Sequence, residues 1–111
     1  MDNSLKESLD HANKMKVFNN QLRLLKEKYL ERNIYFTVGH QFTIDLKLIN
    51  YCITLKNQNK IKDVIMLDDY DLPVRIKDLD TFYNNIMDLY QQNLNAYIVE
   101  YNKLVQDKGR I

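Results

Sequence analysis

The chain has 111 residues, of which 45% are apolar and 28% charged, and its net charge is +1. These totals suit one globular domain with a modest core and exclude a disordered chain. They also leave no dense basic patch for nucleic acid, and no apolar run of the roughly 20 residues that a membrane helix needs.

The opening stretch "MDNSLKESLD" is polar and carries acids, which fits neither a signal peptide nor a transit peptide. Residues 4–31 predict a helix. Met15, Phe18, Leu22, Leu25 and Tyr29 follow 3-4-3-4 spacing, an a/d seam over two heptads. The same register lands on His11 and Ser8 upstream, where the seam weakens. Ser4 with Glu7 forms a capping-box pattern at the start.

"NIYFTVGHQFT" reads as a short strand at 34–38, a turn at Gly39-His40, and a very short return strand at Gln41 and Phe42. Thr43 is expected to cap a helix over 44–57, with Asp45 in its first turn. Ile44, Leu48, Cys52 and Leu55 recur at helical spacing, and "KNQNK" stops the run. "IKDVIMLDDYDLPVRIK" is two β-type runs around an acidic stretch. Pro73 cannot donate to a ladder, so the second strand begins near it or lies at an edge.

Asp78 is expected to cap a last helix over 79–107, ended by Gly109. One stripe on it is Tyr83, Met87, Tyr90, Leu94, Tyr97, Tyr101 and Leu104. A second line, Leu79, Phe82, Ile86 and Leu89, lies beside it. The apolar arc is too wide for one neighbour. One line is expected on the chain's own core, the other on the first helix or on another subunit. The fold class is therefore α+β: N-terminal helix, short β segment, middle helix, β-hairpin and long C-terminal helix. The whole chain reads as one domain, 1–111. Within it, 1–32 is a helix with coiled-coil character and 33–111 an α+β core.

Charge is unevenly spread, with six acids and two bases in residues 63–80. Asp68, Asp69 and Asp71 could offer oxygen ligands to a hard cation. A calcium loop would also need a Gly at the bend and a distal bidentate Glu, and neither is present. Turn chemistry accounts for these acids better, and no metal is expected. The tip formed by Asp68, Asp69, Tyr70 and Asp71 remains a candidate protein-binding surface. His40 and His11 have no partnered Cys, Ser or carboxylate in sequence, and Cys52 sits on an apolar helix face as a small hydrophobe. Tyrosines can stack bases, but the flanks here are Asn, Gln and Asp. Tyr83, Tyr90, Tyr97 and Tyr101, with Phe18, Leu22 and Leu25, are instead candidates for an oligomer interface, since tyrosine suits a half-wet contact. No P-loop, GxGxxG, GxSxG or HExxH occurs, so no enzyme activity and no cofactor are expected.

Taken together, the step Val38, Gly39, His40, Phe42 and Thr43, the acidic tip at 69–71, the alternation of Val74 and Ile76, and the cap at Asp78 resemble a known family. It is the small domain of unknown function of tailed-bacteriophage and prophage proteins encoded near tail-fibre genes. The resemblance spans about residues 20–107. Met66 stands where the family often has Trp, and the last helix is rich in Tyr and Asn where the family's is Ala-rich. The resemblance implies a non-enzymatic tail-associated structural or assembly role in the host bacterial cytoplasm, or in the virion. Because tail fibres are usually trimeric, it also implies self-association. Asn, Lys, Ile and Tyr richness fits an AT-rich genome. Two other readings stay open. One is an anti-CRISPR-like inhibitor that uses the acidic tip against a host defence protein. The weaker one is a nucleic-acid module using Lys56, Lys60 and Lys62.

Overall fold

The structure, a computed structural model, describes residues 3–109. Its elements in chain order are α1 (Asn3–Arg32), β1 (Ile34–Thr37), β2 (His40–Thr43), α2 (Leu46–Asn57), β3 (Lys62–Leu67), β4 (Pro73–Asp78) and α3 (Leu79–Gly109). Three helices and two antiparallel hairpins make an α+β architecture, as the periodicities predict.

Contacts divide the chain into two compact units, one of Met1–Leu30 with Leu94–Ile111, the other of Glu31–Asn93. The C-terminal part of α3, from Leu94, thus groups with α1. The wide apolar arc of α3 is the cause. Leu79, Phe82 and Ile86 belong to the core of the second unit, while Tyr97 meets α1.

In the helical unit, Met15, Phe18, Leu22, Leu25 and Tyr29 are the shielded positions of α1. Tyr29 meets Tyr97 edge-on with ring centroids 5.0 Å apart, and Tyr97 stacks on Tyr101 at 6.5 Å. Lys28 Nζ pairs with Glu100 Oε1 at 3.3 Å. An edge-on aromatic pair adds about 0.5–1.5 kcal/mol beyond area burial, a surface ion pair about 0–1 kcal/mol. The rings therefore carry more of this helix pair than the charges do. Ser4 lies within α1 and not ahead of it at the expected cap position.

In the second unit, Phe42, Cys52, Leu79 and Ile86 are the most deeply buried side chains. Phe82 stands edge-on to both Tyr35, at 5.7 Å, and Phe42, at 5.2 Å. These rings join the first hairpin to α3. Buried Asn93 donates to the Arg32 carbonyl and to Asn33 Oδ1, both at 2.8 Å. A buried amide without partners would cost about 1–3 kcal/mol, and these bonds remove that penalty.

The cap at the start of α2 differs from the expectation. Asp45, not Thr43, caps α2: its Oδ1 accepts the Leu48 N–H at 2.8 Å. Thr43 is the last residue of β2, paired with Ile34. The carboxylate is the stronger acceptor, and the ladder holds Thr43 extended, two residues ahead of that cap. At the other end of α2, Asn59 adopts φ 59. Lys60 N–H donates to the Leu55 carbonyl and Asn59 N–H to that of Lys56, a Schellman closure. At the start of α3, Asp78 Oδ1 accepts the Asp80 N–H at 3.1 Å and Oδ2 the Thr81 hydroxyl at 3.0 Å. That is the cap expected at Asp78.

Candidate interaction site on the paired hairpins

The first hairpin turns through Val38 and Gly39, one residue earlier than the sequence reading placed it. Both have positive φ, 47° and 79°, the signature of a two-residue type I′ turn. His40 is consequently the first residue of β2, opposite Thr37. A β-branched residue is poorly suited to positive φ, and Val38 is also 93% exposed. It gains no burial that would offset its strain.

The second hairpin closes through residues 68–72. Asp71 N–H donates to the Asp68 carbonyl, and Asp68 N–H to that of Leu72. Asp71 adopts φ 61. This is a three-residue loop built on a type I turn, with Asp71 in the left-handed position that Gly usually fills. Asp tolerates that conformation better than most residues.

The acidic tip is directed inward in part. The Asp68 side chain is only 1% exposed. Its Oδ1 accepts the N–H groups of Tyr70 and Leu72, each at 2.9 Å, and its Oδ2 lies 2.8 Å from His40 Nδ1. The hydrogen bond from His40 is the main cause that holds the Asp68 carboxyl below its ordinary value. The backbone donors act in the same direction, and burial opposes them. An ionised Asp68 only accepts, so His40 carries its proton on Nδ1 and donates.

Asp69 joins the same two hairpins. Its Oδ1 accepts the Thr43 N–H at 2.8 Å, and its Oδ2 accepts the Thr43 hydroxyl at 2.8 Å and Gln41 Nε2 at 3.0 Å. Asp69 N–H donates to the Gln41 carbonyl at 2.9 Å. The Tyr70 hydroxyl makes a longer bond to Gln41 Oε1, 3.4 Å. Asp68 and Asp69 therefore clamp the second hairpin's turn to β2. The Asp68 carboxylate, one of the candidate partner-binding groups, is buried and satisfied within the chain. Around this clamp the tip exposes Asp71, whose carboxylate takes no part in it, beside Tyr70, 68% exposed, and Leu72, 51% exposed.

The remaining candidates separate by unit. Phe18, Leu22, Leu25, Tyr97 and Tyr101 lie in the helical unit, where Tyr97 is engaged with Tyr29 inside one chain. The apolar residues left exposed there are a different set that includes Val17, Leu24, Ile98 and Val105. Tyr83 and Tyr90 pack against the core of the second unit, and Lys56 Nζ sits 4.2 Å from the Tyr83 ring centroid. Lys56 also pairs with Asp80 at 3.3 Å. His11 is on an exposed stretch of α1. Cys52 is fully buried, and burial pushes its thiol up to about 11, with Lys56 opposing.

Among the described residues no cluster of three His, Cys, Asp or Glu side chains is arranged for a metal ion. Among them, too, no helix is long and apolar enough to cross a membrane. No family model, curated protein or solved structure matches this chain. Sequence reasoning missed the Asp68–His40 and Asp69–Thr43 links. They join residues 28 and 26 positions apart, a separation at which no periodic signal operates.

Proposed function

We propose that this is a non-enzymatic protein of a tailed bacteriophage or prophage that works by protein–protein contact, as a tail-associated structural or assembly component. One observation carries the contact reading: the clamped hairpins display apolar side chains that the fold does not use. Phe36 is 71% exposed and Val38 93% exposed, the latter on a strained backbone. Strain at an exposed apolar tip is the kind of feature that binding surfaces retain. The resemblance in the turn, tip and cap residues supplies the tail-associated setting. The protein would act in the host bacterial cytoplasm during assembly and could be retained in the virion.

The inhibitor reading has less support. Asp68 and Asp69 use their carboxylates within the fold, so less of the acidic tip's charge is available to steer a basic partner. Deleting the gene from the phage or prophage that carries it separates the readings. The tail-associated role predicts particles with missing or malformed fibres in electron micrographs. Normal, infectious particles whose titre falls only on hosts with active CRISPR immunity would overturn it.

A further inference from the structure

The second hairpin has an unpaired edge. Among the described residues each sheet has two strands, and β4 pairs with β3 alone. The ladder's alternation tells which backbone groups point to the open side. Asp68 N–H donates to the Leu72 carbonyl at 2.9 Å, so 68 and 72 form a hydrogen-bonded pair. Stepping along the register, Met66–Val74 and Val64–Ile76 are hydrogen-bonded pairs, and Leu67–Pro73 and Ile65–Arg75 are not. In the second kind, N–H and C=O groups point away from the partner strand. The Arg75 N–H and C=O and the Pro73 C=O therefore face the open edge. Among the described residues, no backbone bond from outside the hairpin reaches them.

That edge borders a groove of about 570 Å³, within the range of ligand-binding clefts. Every residue of Pro73–Asp78 contributes to its wall. Side chains alternate between the faces of a strand, so a wall that includes every consecutive residue is the strand's edge and not a face. Tyr35 and Val38 line the groove from the first hairpin, and Phe82 from α3. Arg75 and Lys77 are exposed, and neither forms an ion pair among the described residues. Asp78, the one acid on this strand, is engaged in capping α3.

We propose that the β4 edge captures an extended, acidic segment of a partner polypeptide by strand addition, with the segment's carboxylates meeting Arg75 and Lys77. Main-chain bonds to Arg75 and Pro73 would supply the ladder, and Tyr35 and Val38 would cover alternate side chains. A second copy of this chain fits the edge poorly. Antiparallel β4–β4 pairing centred between these residues would set Arg75 of each copy opposite Lys77 of the other, and like charges across a ladder repel. This inference rests on the contact reading and names the partner's chemistry.

The test uses the full chain and two fluorescent peptides, one alternating glutamate and valine, the other lysine and valine. Fluorescence anisotropy is expected to show the acidic peptide binding at least about tenfold more tightly. Arg75→Gln should weaken the acidic peptide and leave strand addition itself possible. Arg75→Pro removes the outward donor as well, at an edge position where proline is tolerated, and should abolish binding. In the parent protein, exchange of the Arg75 amide should slow when the acidic peptide binds. Equal binding of both peptides, unchanged binding by Arg75→Pro, or an Arg75 amide indifferent to the peptide would overturn the inference. So would a dimer in sedimentation that Arg75→Pro dissolves, since a second copy would then occupy the edge. If the peptides fail while gene deletion still yields fibreless particles, this inference falls and the contact reading stands.

Discussion

Replacing Asp69 with alanine distinguishes a clamp from a docking acid. Asp69 accepts three hydrogen bonds from β2, from the Thr43 N–H, the Thr43 hydroxyl and Gln41 Nε2, at 2.8, 2.8 and 3.0 Å. Hydrogen bonds to a charged group contribute about 1.5–3 kcal/mol each when shielded. Asp69 is exposed, and its donors can turn to water when it is removed, so less than 1 kcal/mol per bond is the realistic contribution. Asp69→Ala should therefore cost about 2 kcal/mol. For a chain of this size, total stability is about 5–15 kcal/mol, and a loss of that order lowers Tm by roughly 8–12 °C. Urea unfolding followed by circular dichroism reads the change. A double-mutant cycle with Thr43→Val should show coupling of about 1 kcal/mol between the two residues. If Asp69→Ala moved stability by less than about 0.5 kcal/mol, as an ordinary surface substitution does, the clamp would be refuted.

Three further outcomes are expected. Val38→Asn relieves a β-branched side chain at φ 47 and loses no burial, so it should raise stability by about 1 kcal/mol in the same unfolding assay; a loss would mean that Val38 packs on the fold. Tyr97→Asp places a charge beside the Tyr29 ring and should reduce helicity at 222 nm, destabilising the chain by about 2 kcal/mol. Unchanged helicity with a lower mass in light scattering would instead return Tyr97 to a contact between subunits. Cys52, fully buried and with its thiol pushed up to about 11, should resist Ellman's reagent at pH 8 until denaturant is added, and rapid labelling of the native chain would contradict its burial.

Local and periodic signals account for what was legible in the sequence. The helix seam Met15 to Tyr29, the paired lines on α3 and the cap at Asp78 all lie within a few residues of the features they predict. The width of the apolar arc on α3 even foretold that it needs two neighbours. Three things could not be read. Val38 gives no hint of a left-handed turn, because valine is among the residues least suited to one. Thr43 and Asp45 are both good caps, and only the pairing of Thr43 with Ile34 settles between them. The inward aim of Asp68 depends on His40, which the fold brings within 2.8 Å across 28 positions of sequence. Asp68 looked as exposed as Asp69 and Asp71 because composition reports charge and not direction.

The most direct measurement is the titration of the Asp68 carboxyl by carbon-detected NMR, in the parent and in His40→Gln. The hydrogen bond from His40, aided by two backbone donors, holds Asp68 below the ordinary aspartate value of about 3.9. A depressed folded value means that the stabilisation is present above the unfolded value and is lost as pH falls through the folded one. The clamp thus predicts a parent Asp68 that titrates below the ordinary value, stability that declines in acid under about pH 4, and a rise in the Asp68 value in His40→Gln. An Asp68 that titrates at or above the ordinary value, and that ignores the loss of His40, would contradict the clamp and return the acidic stretch to the surface as a free charge.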